Sequence, residues 1–255
     1  MIKKTFRVFL MVIFTYMLIM LGGAVYYVYV RKVKKVDLIA DKPSTVNNYG
    51  IPVKYVNHIM GMDVSQYQKN IDWNEISNNP DIEFVIIRST YGNLKVDPFY
   101  HKNYDECKKY GIRRASYHYF LPNVDGKVQA EYFIKNAKFE KGDLLPVLDI
   151  EKTHKKGKKI LIKEINKFLE TVKKELGIDM IIYSYNKFYK DHLDEHYSKF
   201  PLWIAHYKIE DINGRANRWN FWQFTETAIV KGVPGYVDLN VFNGNSEQLI
   251  KYTIQ

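Results

Sequence analysis

From residue 58 onward, short apolar runs alternate with longer stretches in which apolar residues recur every three or four positions. The runs Ile59–Val64, Phe84–Ser89, Arg114–Phe120, Leu144–Ile150, Met180–Ser184, Leu202–Ala205, Asn220–Phe224 and Val237–Val241 read as strands. The stretches Lys102–Tyr110, Lys127–Ala137 and Lys159–Leu176 read as helices, with a shorter one over Lys187–Leu193. Gly177 stops the longest of them with a left-handed cap signal. Eight strands with helical crossovers, the last three joined by shorter connections, predict an α/β fold: a TIM-like (β/α) barrel with a reduced helical half.

The pattern before residue 58 is different. Val8 to Val30 is 23 residues without a charge, flanked by Lys3, Lys4 and Arg7 and by Arg31, Lys32, Lys34 and Lys35. It predicts an N-terminal transmembrane helix, with Tyr26, Tyr27 and Tyr29 at one interface, so that 1–35 forms a membrane anchor. A cleaved signal peptide, with Gly22-Gly23-Ala24 as its small-residue site, is the competing reading. Either one exports the remainder. Residues 36–57, with Pro43, Gly50 and Pro52, read as a linker, and 58–255 as the folded domain.

Charge changes the picture only at that end. The net charge is +10, but residues 1–57 hold nine Lys/Arg against two Asp, while 58–255 hold 29 basic and 26 acidic residues. The excess suits a membrane surface rather than nucleic acid, for which no motif is present. Cys107 is the only cysteine, so the fold rests on its core rather than on a disulfide.

The candidate chemistry lies at strand ends, where barrels of this class place it. Val147-Leu148-Asp149-Ile150-Glu151 reads as a buried strand ending in two carboxylates on one face, about 6.6 Å apart. At that spacing two negative charges repel by roughly 2–3 kcal/mol at an effective dielectric near 20. That repulsion favours one protonated and one ionised group, the pairing that glycosidic bond cleavage uses. Asp63, Arg88, Tyr117, Tyr183, Trp203, Tyr207, Trp222, Gln223 and Asp238 fall at or near the ends of the other strands. His192-Leu193-Asp194-Glu195-His196 fits an inverted zinc-protease pattern, but a short Lys- and Asp-rich segment reads better as a solvated helix. Lys152, Lys155, Lys156, Lys158 and Lys159 read as a solvated loop, and His118 as a core hydrogen-bonding group.

Taken in order, the motifs resemble glycoside hydrolase family 25, the lysozymes that act as N-acetylmuramidases. Gly61-Met62-Asp63-Val64-Ser65-Gln66-Tyr67-Gln68 is similar to the family's opening element and Asp72-Trp73 to the next. Phe84 through Gly92, Tyr117-His118-Tyr119-Phe120, Leu148-Asp149-Ile150-Glu151, Pro201 through Tyr207, Phe221 through Thr225 and Val233 through Phe242 match later elements. One departure is Arg114-Ala115-Ser116, where a glycine often precedes the Tyr-His pair.

The resemblance implies cleavage of the β-1,4 bond between N-acetylmuramic acid and N-acetylglucosamine in peptidoglycan, without metal or cofactor. It makes Glu151 the general acid and Asp149 the partner of the substrate's 2-acetamido group. Asp63 and Asp238 would flank them and, by their charge, keep Glu151 protonated. Tyr117, Tyr183, Trp203, Tyr207, Trp222 and Gln223 would bind sugar, and Arg88 would meet the muramyl carboxylate or pair with an acid. With the apolar N-terminal segment, which lies outside the resemblance, the expectation is a monomer held at the bacterial cytoplasmic membrane and facing the wall. The alternatives are an inactive glycan-binding barrel and a chitinase-like enzyme, whose longer acidic series would need an acid at Val147.

Overall fold

A computed structural model describes residues 49–51, 55, 58–207, 212 and 218–255. All lie in the unit Val46–Gln255. The predicted membrane anchor and most of the linker fall outside the described residues. Among the described residues, no helix is long and apolar enough to cross a membrane.

The strands are β1 (Met60–Val64), β2 (Phe84–Tyr91), β3 (Lys95–Val96), β4 (Arg113–Tyr119), β5 (Val147–Asp149), β6 (Ile181–Tyr185), β7 (Leu202–Ala205), β8 (Phe221–Ala228) and β9 (Val237–Phe242). The sheet runs β1-β9-β8-β7-β6-β5-β4-β2-β3, and pairing of β1 with β2 closes eight of the strands into a barrel. β3 is a two-residue antiparallel ribbon on the end of β2. Neighbours from β1 through β2, β4, β5, β6 and β7 to β8 are parallel. β9 runs antiparallel to both β8 and β1. The connection from β8 to β9 is too short for a crossover, so the chain turns straight back.

Period-two alternation sorts the strand residues into two cores. Phe84, Ile86, Ala115, Val147, Ile181, Trp203, Phe221 and Phe242 fill the barrel. Their neighbours Val85, Ile87, Leu148, Ile182, Ile204, Trp222 and Val241 face outward into a larger core built against the helices. Gly61 makes room inside, because a Cβ there would lie 2.4 Å from Phe84.

The predicted helices occur at Tyr100–Lys109, Gly126–Asn136, Lys158–Leu176 and Asn186–His192. Asp125 caps the second by accepting from the Lys127 and Val128 amides. Gly177 closes the third at φ +72°. Short helices at Trp73–Ser77, Asp194–Tyr197 and Ser246–Ile250, along with β3, were not expected. The predicted strand Leu144–Ile150 is regular strand only over Val147–Asp149, with Leu144 in an isolated bridge to Thr253. Pro146 has no amide to donate, and Leu145 instead donates to the Tyr252 carbonyl at 2.7 Å in the C-terminal segment.

Candidate active site

The upper end of the barrel interior is polar where the lower end is apolar. A cleft of about 200 Å³ opens there, lined by Asp63, Asp149, Glu151, Asp238, Glu226 and a ring of aromatic residues. Seven parallel strands direct their C-terminal ends toward this mouth. β9 delivers its beginning, which is why Asp238 stands opposite Asp63 in register. Asp149 closes β5, and alternation continues one residue beyond the paired region: Ile150 turns into the outer core and Glu151 returns to the cleft.

Asp63 is held by two side-chain amides. Its Oδ2 accepts from Gln223 Nε2 at 2.7 Å and from Asn240 Nδ2 at 2.8 Å. The orientation of both amides is dictated from behind. Trp203 Nε1 can only donate, and it donates to Asn240 Oδ1 at 2.8 Å. The Tyr183 and Tyr207 hydroxyls donate to Gln223 Oε1 at 2.9 and 2.6 Å. Burial pushes Asp63 up to about 6, against the pull of these donors. Asp238, hydrogen-bonded to Asp63, is pushed up to about 9 by burial and then by the Asp63 charge. Between those values the pair holds one proton, with Asp238 donating to Asp63.

Asp149 and Glu151 differ in surroundings. Asp149 is 6 % exposed, and its Oδ1 has no hydrogen-bond partner among the described residues. Burial, then the charges of Glu151 and Asp63, raise it well above the carboxylate range. Glu151 is half-buried, and it too is raised, chiefly by burial. It accepts from the Tyr119 hydroxyl at 3.0 Å and from Tyr185, and these donors favour its ionised form. The expectation that the charges of Asp63 and Asp238 raise Glu151 therefore needs correction: burial raises it, and among these two acids it is Asp149 that neighbouring charges raise further, on top of its burial.

Most predicted site residues converge on the cleft: Tyr117, Tyr183, Trp203, Tyr207, Gln223 and Arg88 all line it. Trp203 is only 2 % exposed where it lines the cleft, and its Nε1 is committed to Asn240. Arg88 pairs with an acid, the second of the two roles expected of it: its Nε and Nη2 are each 2.9 Å from Asp97 Oδ2. Trp222 is not in the cleft at all. It is fully buried outside the barrel against Tyr55, Trp219 and Phe224, with Nε1 donating to the His206 carbonyl at 2.8 Å. Adjacent strand residues face opposite ways, so Trp222 and Gln223 cannot both point inward.

Tyr119 and Tyr185 were missed as walls of the site, though each lies two residues beyond an inward tyrosine on its strand. Glu226 was also missed, because the register shifts between Gln223 and Thr225 and breaks the alternation. His118 points outward, between Thr90 at 2.7 Å and Gln129 at 3.3 Å. His192 and His196 sit on two different helices, separated at Leu193.

Paired carboxyls of unlike proton affinity in a tyrosine-walled cleft are the equipment of glycosidic bond hydrolysis, and by this site and barrel the molecule is a glycoside hydrolase. More particularly, the chain belongs to the glycosyl hydrolases family 25, whose profile matches residues 62–233. It is 37% identical over 203 residues to the uncharacterized protein YegX of Escherichia coli, covering 78% of this chain and 74% of that one. It is 30% identical over 207 residues to lysozyme M1 of Streptomyces globisporus, covering 75% and 70%. Its fold superposes on a family 25 glycosyl hydrolase from Bacillus anthracis with a TM-score of 0.73 at 30% identity, covering 83% of this chain and 100% of that one.

Proposed function

We propose that this protein is a peptidoglycan muramidase that hydrolyses the β-1,4 bond between N-acetylmuramic acid and N-acetylglucosamine. The observation that carries the reading is the convergence of Asp63, Asp149, Glu151 and Asp238 on one cleft. Glu151, raised by burial yet half-exposed, gives its proton to the leaving glycosidic oxygen as the bond breaks. The carbonyl oxygen of the substrate's 2-acetamido group closes onto the anomeric carbon. Water then opens that ring and returns a proton to Glu151. Asp149 Oδ1, an acceptor without a donor among the described residues, receives the acetamido N–H. Ionised Asp63, fixed by Gln223 and Asn240, faces the positive charge that develops at the anomeric centre. Tyr119, Tyr185 and Tyr207 offer faces to the sugar rings.

The N-terminal apolar segment supports a further part of the proposal: the enzyme is anchored in the bacterial cytoplasmic membrane by residues 1–35, with the barrel facing the wall on the 36–57 linker. Mass spectrometry of digested peptidoglycan tests the bond assignment. Fragments with N-acetylmuramic acid at the new reducing end are expected; N-acetylglucosamine at that end would overturn it.

A further inference from the structure

A second groove opens beside the cleft, under the β2–β3 hairpin. It encloses about 440 Å³, and Gln66, Tyr67, Tyr91, Leu94 and Lys95 line it. Tyr67 and Arg88 belong to both depressions, so the two are continuous. Nothing in the four-carboxyl chemistry uses this groove, and its charge is of the opposite kind. Asp97 is the acid among its lining residues, and its Oδ2 is consumed by Arg88 and by the Gln66 amide at 2.7 Å. Lys95 remains exposed, with Nζ 5.9 Å from the Tyr91 ring centroid. Tyr91 stacks on Tyr119 at 4.7 Å and 7°, and a second lysine, Lys152, stands 5.5 Å from the Tyr119 ring. Leu94 is 81% exposed at the hairpin tip, serving no core. An apolar side chain, an aromatic face and an exposed ammonium with no carboxylate partner among the described residues fit a short peptide bearing carboxylates.

A muramyl ring carries such a peptide on its lactyl group, so it leaves the sugar from beside the scissile bond. Resting on the muramidase reading, we infer that this groove takes the acidic peptide stem of the substrate, with Lys95 meeting a stem carboxylate and Leu94 and Tyr91 covering its alkyl carbons. The groove then makes the enzyme selective for peptide-bearing glycan. It also links stem recognition to the acid, because Tyr91 backs the tyrosine that holds Glu151.

The test compares hydrolysis of peptidoglycan strands with their stems and after amidase removal of the stems, using the full chain and its Lys95→Glu and Leu94→Ala variants. The wild type is expected to show kcat/KM about tenfold higher on the stem-bearing strands, and Lys95→Glu to bring the ratio near one through KM. Equal rates on both substrates, or a ratio unchanged in both variants, overturn the inference. Titration calorimetry with N-acetylmuramyl-L-alanyl-D-glutamate, which has no bond to cut, decides the groove even if neither strand is hydrolysed. Binding weakened by Lys95→Glu supports it; absence of binding to the wild type, or equal binding by both proteins, contradicts it. Failure to cut either strand contradicts the muramidase reading instead.

Discussion

At the scale of single residues, two acids of the same motif receive opposite treatment. Asp149 lies deep, with an oxygen that no described residue satisfies, while Glu151 stands nearer solvent under a tyrosine hydroxyl. The Tyr119 bond stabilises the ionised form of Glu151. Tyr119→Phe keeps the ring on Tyr91 and removes only that hydroxyl, so the Glu151 pKa rises further. The alkaline limb of the pH–rate profile, where the general acid loses its proton, is expected to move to higher pH; a shift the other way would refute this role. The carboxyl pair was legible in the sequence because alternation places Asp149 and Glu151 on one face. The same rule separates Trp222 from Gln223, and a tryptophan in a glycan-binding context masks that constraint. What spacing along the chain cannot convey is which acid sits deeper, since depth depends on strands far away.

At the scale of elements, the site depends on how the helices seat the strands. The helix Gly126–Asn136 packs on Lys158–Leu176 so closely that a Cβ on Gly126 would lie 1.8 Å from the Glu164 carbonyl oxygen. The Gly126 amide also donates to Glu164 Oε2 at 2.8 Å, and Lys167 bridges Glu164 to Asp125. Gly126→Ala forces these helices apart and is expected to cost about 1–3 kcal/mol. Thermal unfolding would show this as a lower Tm with kcat little changed at low temperature; an unchanged Tm would mean the contact relaxes freely. All eight barrel strands were legible from their apolar runs, and the long helices from their periodicity. The hairpin ribbon β3 and the short helices were not, because two to five residues carry too little periodic signal.

At the scale of the whole molecule, barrel closure brings together carboxyls from β1, β5 and β9 at a cost to stability. An unfolded Asp238 titrates near 3.8, and the folded one near 9. Below the lower value both states hold the proton, and the folded state loses nothing. As pH rises toward the upper value, the unfolded chain gives up the proton while the folded chain retains it, so stability falls. Asp238→Asn preserves a donor to Asp63 and removes the titration. It is expected to raise Tm at pH 8 by at least about 3 °C, the shift that about 1 kcal/mol produces in a domain of this size, with the gain vanishing near pH 3. A gain independent of pH would assign the effect to packing. The direction of β9 belongs to this scale too. Strand ends placed Asp238 correctly at the mouth, yet it arrives there from the start of a reversed strand, a fact set by the short β8–β9 connection rather than by the strand's own residues.

The most direct test of the central claim is the turnover of Glu151→Gln on peptidoglycan, measured alongside its Tm. Glutamine matches the carboxyl in shape and leaves the Tyr119 contact possible, but it has no acidic proton to give. A fall in kcat of at least about 10²-fold with an unchanged Tm is expected. A folded Glu151→Gln enzyme that cuts at near wild-type rate would contradict the assignment of Glu151 as the proton donor.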